Sequence, residues 1–253
     1  MYPVIFRLGP ITIYSFGVMM ALGFLVGGYI LSKELARKGL DPALGSSIVF
    51  WTAVGGLVGA RLWVVFDDFG AFLESPMSVL LTGAGFVWYG GLLGGLVALS
   101  WIIRYHGLPW LVTVDCVAAG LPLGHAIGRI GCHLAGDGDW GGETTLPWGV
   151  AYPHAIIGWD FPPGVRVHPA PLYEAALYTA IFALLWSLRH RLHRAGTVLG
   201  LYFVLAGAAR FVVEFVRLGP PVCWGLTQAQ LFSMVLVIAG VSILLSGRRA
   251  LAP

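Results

Sequence analysis

The sequence predicts an all-α integral membrane protein of about seven transmembrane helices, forming a single domain over residues 1–253. Three observations carry that expectation. First, 58% of the residues are apolar and only 11% are charged, against about 45–50% and about 25% in soluble domains. So few charges cannot solvate a globule of this length, which leaves most of the surface to lipid. Second, the apolar residues gather into runs near the roughly 20 residues that a spanning helix needs. Third, the basic residues fall on alternate sides of those runs.

The same composition excludes a disordered chain, a nucleic-acid binder and an ordinary cytosolic enzyme. The net charge of +3 is read from where the charges sit, not from its sign. No stretch is left for a separate soluble domain of about 100 residues. The 36 glycines follow no collagen period and form no low-complexity run. In membrane helices such small residues let backbones approach closely. Cys116, Cys132 and Cys223 form no spaced pair, so neither a disulfide framework nor a zinc site is expected.

Candidate spans cover residues 13–32, 46–66, 85–103, 111–130, 171–188, 196–216 and 228–245. No basic segment precedes the first run, so it is expected to stay as a span and not to be cleaved as a signal peptide. Lys33, Arg37 and Lys38 follow it and assign that end to the cytoplasm. With the N-terminus outside, the inner segments hold those three together with Arg104, Arg189, Arg191, Arg194, Arg248 and Arg249. The outer segments hold Arg7, Arg166 and Arg217, and the loop after the second span is acidic, with Asp67, Asp68 and Glu74. The predicted topology is therefore N-out and C-in. Residues 131–170 form a long connection rich in Trp and Pro. Its aromatic content predicts an ordered cap at the outer interface. No internal repeat of the transporter kind is visible.

Ionisable residues inside spans are costly, by at least about 2.5–3.5 kcal/mol, and so mark function or pairing. Arg129 ends the fourth span in the run Gly128-Arg129-Ile130-Gly131, one turn after His125. It either snorkels to the interface or binds an anion. Arg210 and Glu214 stand four residues apart in the sixth span, with Arg217 one turn on. They read as an ion pair, or as a guanidinium held by a carboxylate and aimed at a phosphate. Arg61 reads as an internal ion pair or a snorkelling side chain. Asp115 suits the start of its helix for dipole reasons alone. His106, His190 and His193 read as solvated. Cys132 and His133 with Asp137 and Asp139 match no zinc spacing, and the two aspartates sit in a glycine-rich turn where Asp is common.

Several segments together resemble the bacterial prolipoprotein diacylglyceryl transferase family. They are Ile5-Phe6-Arg7-Leu8-Gly9-Pro10 with Tyr14-Ser15-Phe16-Gly17, then Gly59-Ala60-Arg61-Leu62, then Tyr89-Gly90-Gly91-Leu92. After these come Gly128-Arg129-Ile130-Gly131 with Gly136 and Gly141, and His168-Pro169 with Leu172-Tyr173-Glu174. Last are Arg210-Phe211, Glu214-Phe215 and Arg217 on the sixth span, and Gln230 opening the seventh. Each motif is weak alone, but they run collinearly along nearly the whole chain.

The resemblance implies transfer of the diacylglyceryl group of phosphatidylglycerol to the lipobox cysteine of a prolipoprotein. A thioether forms and glycerol phosphate leaves. It implies the bacterial cytoplasmic (inner) membrane, a site facing the outer leaflet, and no metal or soluble cofactor. On the matched positions, Arg129, Arg210 and Tyr89 take the catalytic places. Phe16, Gly131, Cys132, Asp137, Gly141 and Glu214 join the arginines in substrate binding. The chemistry agrees in kind: expelling a phosphate calls for donors that neutralise developing charge, and the thiol, with a pKa of about 8.5, must lose its proton.

The sequence departs from the family at several of these positions. Tyr89 replaces a histidine, Cys132 an asparagine, Phe16 and Ala206 tyrosines, and Asp137 a glutamate, and Gly141 is reached with one extra residue. A tyrosine with a pKa of about 10 is a poor general base at neutral pH, and His125 or His133 could compensate. The substitution leaves a second reading open, a divergent or inactive member that binds or transports phospholipid without this transfer.

Overall fold

The computed structural model describes residues 1–9, 11–77 and 87–246. Arg248 and Arg249, assigned above to the inner side, lie outside the described residues, as do Pro10 and the start of the third predicted span at 85–86.

The described chain is mostly helical. Its helices are α1 (Ser15–Arg37), α2 (Leu44–Asp67), α3 (Phe69–Glu74), α4 (Trp88–Tyr105), α5 (Trp110–Ala135), α6 (Ala170–Leu188), α7 (Thr197–Val213) and α8 (Gln228–Ser246). A 3-10 turn, Glu214–Val216, continues α7. Among the described residues, six helices are long and apolar enough to cross a membrane: α1, α2, α5, α6, α7 and α8. The sequence reading expects seven. The remaining candidate, α4, is a helix of 18 residues but is not among the six. Its Trp88-Tyr89 start and Arg104-Tyr105 end dilute its apolar content.

The helix faces are distributed as lipid exposure requires. On α8 the buried positions are Gln230, Ser233 and Gly240, whereas Val235 and Ile238 are exposed. On α6, Glu174 is buried and Leu177 and Leu184 are exposed. Water would penalise this arrangement, and hydrocarbon favours it.

Among the described residues, two antiparallel hairpins add to the all-helical expectation. Strands β1 (Val4–Leu8) and β2 (Ile11–Tyr14) precede α1. Strands β3 (Pro221–Cys223) and β4 (Leu226–Thr227) precede α8. The second hairpin turns through Trp224 and Gly225, both at positive φ, as a two-residue type I′ loop demands.

The chain forms two compact units, one of residues 1–31 and 114–253, the other of residues 32–113. In the second unit α2 packs on α4 through glycine. A Cβ on Gly94 would stand 2.2 Å from the carbonyl oxygen of Gly55, so no larger residue fits without separating the helices.

In the first unit, a buried cluster of Ala126, Tyr178, Ile181, Leu185 and Ala206 joins α5, α6 and α7. One helical turn along from this cluster stand Arg129, Glu174 and Arg210, one on each helix. The apolar contacts therefore fix the level at which the charges meet. Asp115 is buried on α5 but serves a different helix from the one the sequence suggests. It accepts the backbone N–H groups of Gly196 at 2.7 Å and Leu199 at 2.8 Å, capping the start of α7.

The fourth predicted span ends at residue 130, but α5 continues to Ala135. Nothing in Gly131-Cys132-His133-Leu134-Ala135 breaks a helix, and Gly136 stops it at φ +64°, the left-handed conformation that closes many helices. Cys132 and His133 are thus helical and not part of the connection. The connection after Gly136 is ordered by short bridges of Val167 with Glu143 and Val150. Tyr152 is buried within it and stacks on Trp140 at 5.0 Å.

Candidate functional site

Three arginines and three carboxylates meet at the end of α5, α6 and α7 in the first unit. Glu174 is their centre. It stands in the first turns of α6, which opens Ala170-Pro171, where a carboxylate complements the helix dipole. Its Oε2 lies 2.6 Å from Nε of Arg129. Its Oε1 accepts a hydrogen bond from Nη1 of Arg210 and lies 3.6 Å from Nη1 of Arg217.

Glu214 forms the second junction. Its Oε2 lies 2.9 Å from Nη2 of Arg210, the pair expected from four-residue spacing, and 3.4 Å from Nε of Arg217. Its Oε1 accepts the hydroxyl of Thr227 at 2.9 Å. Thr227 in turn caps α8 reciprocally. Its backbone N–H donates to Oε1 of Gln230 at 3.0 Å, and its hydroxyl oxygen accepts the N–H of Gln230 at 3.3 Å. This is a capping box, and it ties the family-like Gln230 to the ionic centre.

Asp139 completes the group. It accepts a hydrogen bond from Nη1 of Arg129 and pairs with Nη2 of Arg217 at 2.5 Å. Nη1 of Arg217 also donates to its backbone carbonyl at 3.1 Å. Burial opposes the charge on Asp139, but Arg129 and Arg217 outweigh it and hold the carboxyl below the usual aspartate range. The six side chains carry three positive and three negative formal charges. Such balance is what a low-dielectric setting tolerates.

The predicted residues distribute unevenly around this centre. Arg129, Arg210 and Glu214 belong to it. Cys132 is close, with Sγ 3.9 Å from Nη1 of Arg129. Asp137 is not an arginine ligand among the described ion pairs. Its carboxylate accepts the Asp139 N–H at 3.3 Å and shapes the turn that presents Asp139. Gly131 packs against α1, where an added Cβ would come within 2.9 Å of Met19 and 3.5 Å of the Phe16 ring. The Gly141 N–H is donated to the carbonyl of His168 at 2.8 Å, and a Cβ there would meet the Val216 carbonyl at 2.2 Å. Gly141 therefore brings two backbones together. Tyr89 belongs to the other unit, on the first turn of α4, edge-on to Trp88 at 5.2 Å. Of the histidines named as substitutes, His125 stacks on Tyr178 at 3.9 Å. His133 Nδ1 lies 2.9 Å from the Tyr152 hydroxyl.

Sequence reasoning assigns no site role to Glu174, Arg217 or Asp139, yet they supply half of the network. Ligand atoms of Cys132, Asp137 and Asp139 also lie within 4.8 Å of one another. A cation there would face Arg129 and compete with two guanidiniums for Asp139, so the donor set suits an ion poorly.

Comparison with known proteins places this geometry in context. Residues 3–246 match the family described as prolipoprotein diacylglyceryl transferase. Bacterial relatives of the chain bear the name phosphatidylglycerol–prolipoprotein diacylglyceryl transferase. That of Solidesulfovibrio magneticus is 35% identical, covering 98% of this chain and 94% of the relative. That of Stenotrophomonas maltophilia is 33% identical, with 98% and 92% covered. That of Ectopseudomonas mendocina is 31% identical, with 96% and 92% covered. With its arginine and glutamate motifs drawn into one network and residues 3–246 matched to the family, the chain belongs to the prolipoprotein diacylglyceryl transferase family.

Proposed function

We propose that the chain transfers the diacylglyceryl group of phosphatidylglycerol to the lipobox cysteine thiol of prolipoproteins. The observation that carries this reading is the convergence of Arg129 and Arg210 on Glu174 from two helices. Guanidinium forks held in place by carboxylates are suited to a lipid phosphate. In the reaction the thiol sulfur bonds to the glyceryl carbon as that carbon's bond to the phosphate oxygen breaks. The electron pair leaves with glycerol phosphate, and the thiol proton passes to the leaving phosphate or the medium. Arg129 and Arg210 stabilise the negative charge of the departing group. Tyr89, in the place of the family histidine, is proposed as a catalytic residue. Phe16, Gly131, Cys132, Asp137 and Gly141 are proposed to shape the lipid pocket.

The proposed setting is the bacterial inner membrane, with seven spans if α4 is counted, the N-terminus outside and the C-terminus inside. The connection after α5 then forms a cap on the outer face. The positions of Lys33, Arg37, Arg104 and Arg189 support that orientation. The test is purified protein in phosphatidylglycerol vesicles with a lipobox peptide, followed by peptide mass. A diacylglyceryl adduct on the cysteine is expected. An unmodified peptide, with the lipid moved across the bilayer instead, would replace this reading with a transport function.

A further inference from the structure

The charge of the three arginines is already balanced by the carboxylates they touch before any lipid arrives, and Asp137, with a carboxylate oxygen within 4.8 Å of Asp139, adds a further negative formal charge beside them. Arg129, Arg210 and Arg217 face Asp139, Glu174 and Glu214, and every arginine touches at least two of the carboxylates. A lipid phosphodiester adds one negative charge. In a poorly screened site that charge repels the carboxylates beside it, so one of them must give way.

The structure distinguishes which one. The side chains of Glu174 and Glu214 are 1% and 4% exposed, whereas that of Asp139 is 29% exposed. Glu174 is rooted in α6, and Glu214 is fastened by Thr227. Asp139 rides on a turn that passes through Gly136 and Gly138, both at positive φ. On Arg129 its position differs too. Glu174 takes the inner Nε of Arg129, while Asp139 takes the terminal nitrogens Nη1 of Arg129 and Nη2 of Arg217. Terminal nitrogens on the accessible side are the ones a phosphate would reach first.

We propose that Asp139 is the exchangeable anion of this site: the lipid phosphate takes its place on Arg129 and Arg217, while Glu174 and Glu214 stay. On lipid binding one monovalent anion replaces another, so the charge of the site is unchanged. Return of Asp139 then competes with departing glycerol phosphate and favours product release. Asp139 is thus a positioning residue that holds the guanidiniums in register until an anionic headgroup arrives. This inference rests on phosphatidylglycerol being the substrate.

The experiment compares wild type, Asp139→Asn and Asp139→Glu in vesicles of phosphatidylglycerol diluted with phosphatidylcholine, with a lipobox peptide as acceptor. Asp139→Asn should lower KM for the lipid about fivefold, tighten inhibition by glycerol phosphate and reduce kcat. Asp139→Glu should return all three toward wild type. A raised KM, or no change in KM and inhibition, overturns the proposal. Amide exchange of wild type covers the case in which the Asn variant does not fold. Residues 136–140 should exchange faster in phosphatidylglycerol than in phosphatidylcholine vesicles, and equal exchange overturns the proposal. Absence of glycerol phosphate release by wild type would count against the transferase reading alone, since the exchange measurement needs no turnover.

Discussion

Nε of Arg129 lies 2.6 Å from one oxygen of Glu174, whose other oxygen is occupied by Arg210 and Arg217. One buried carboxylate therefore sets the spacing of three guanidiniums contributed by α5, α7 and the segment after α7. The arginines do not need a phosphate to hold their positions, so the site is organised in advance, which lowers the cost of binding.

Replacing Glu174 by Gln keeps the shape and removes the charge. Three guanidiniums would then share two carboxylates. The expected loss is about 3–5 kcal/mol of stability, the usual consequence of leaving buried charges unpaired, with an increase in lipid KM. Thermal unfolding in lipid and the KM for phosphatidylglycerol check it. An unchanged midpoint and KM would remove Glu174 from the centre of the account.

Arg210→Lys tests geometry at constant charge. Arg210 reaches Glu174 and Glu214 through different nitrogens, and an ammonium has no planar fork to do so. Turnover should fall by about 10–100-fold, the worth of one charged hydrogen bond. Equal turnover would exclude Arg210 from the site.

Asp139 provides a pH signature. Its unfolded carboxyl titrates at about 3.9. In the folded chain burial pushes that value up, but Arg129 and Arg217 push it down further. A depressed folded value means that the stabilisation is complete above the unfolded value and is lost as pH falls through the folded one. The unfolding midpoint should drop below about pH 4 in wild type, and the drop should be smaller in Asp139→Asn. Identical profiles would mean that the pair contributes nothing.

Asp115 is the structural counterpart. It caps α7 from α5, far along the helix from the ionic centre. Asp115→Ala should cost about 1–3 kcal/mol, because the N–H groups of Gly196, buried, and Leu199, half-buried, lose their acceptor. Lipid KM should be unaffected. A changed KM at unchanged stability would contradict the assignment.

The spans were legible because lipid imposes a strong length and composition rule, and the helices found at α1, α2 and α5–α8 follow it. The arginine–glutamate pair of α7 was legible from its four-residue spacing. Glu174 was visible as part of a motif, but a lone carboxylate in the first turns of a helix reads equally well as a dipole partner. Arg217 was assigned to an outer loop because it follows the sixth span. The 3-10 turn that brings its side chain back to Asp139 has no apolar period to reveal it. Between Asp137 and Asp139, spacing favoured the first. The turn through the left-handed glycines at 136 and 138 puts Asp139 on Arg129 and Arg217, and backbone handedness cannot be read from residue counts. The end of α5 at Ala135 was also hidden, because the glycine at 131 resembles a stop as much as the one at 136 does.

In the proposed reaction, Arg129 is the arginine on which the lipid phosphate sits during transfer, with Arg217 sharing it and Arg210 adding its charge alongside. This central role is tested most directly by glycerol phosphate release from phosphatidylglycerol in the presence of a lipobox peptide, comparing wild type with Arg129→Ala. Steady release is expected from wild type and a fall of at least about 100-fold in the variant, as for loss of a principal charge-stabilising donor. Equal release by the two proteins would contradict it.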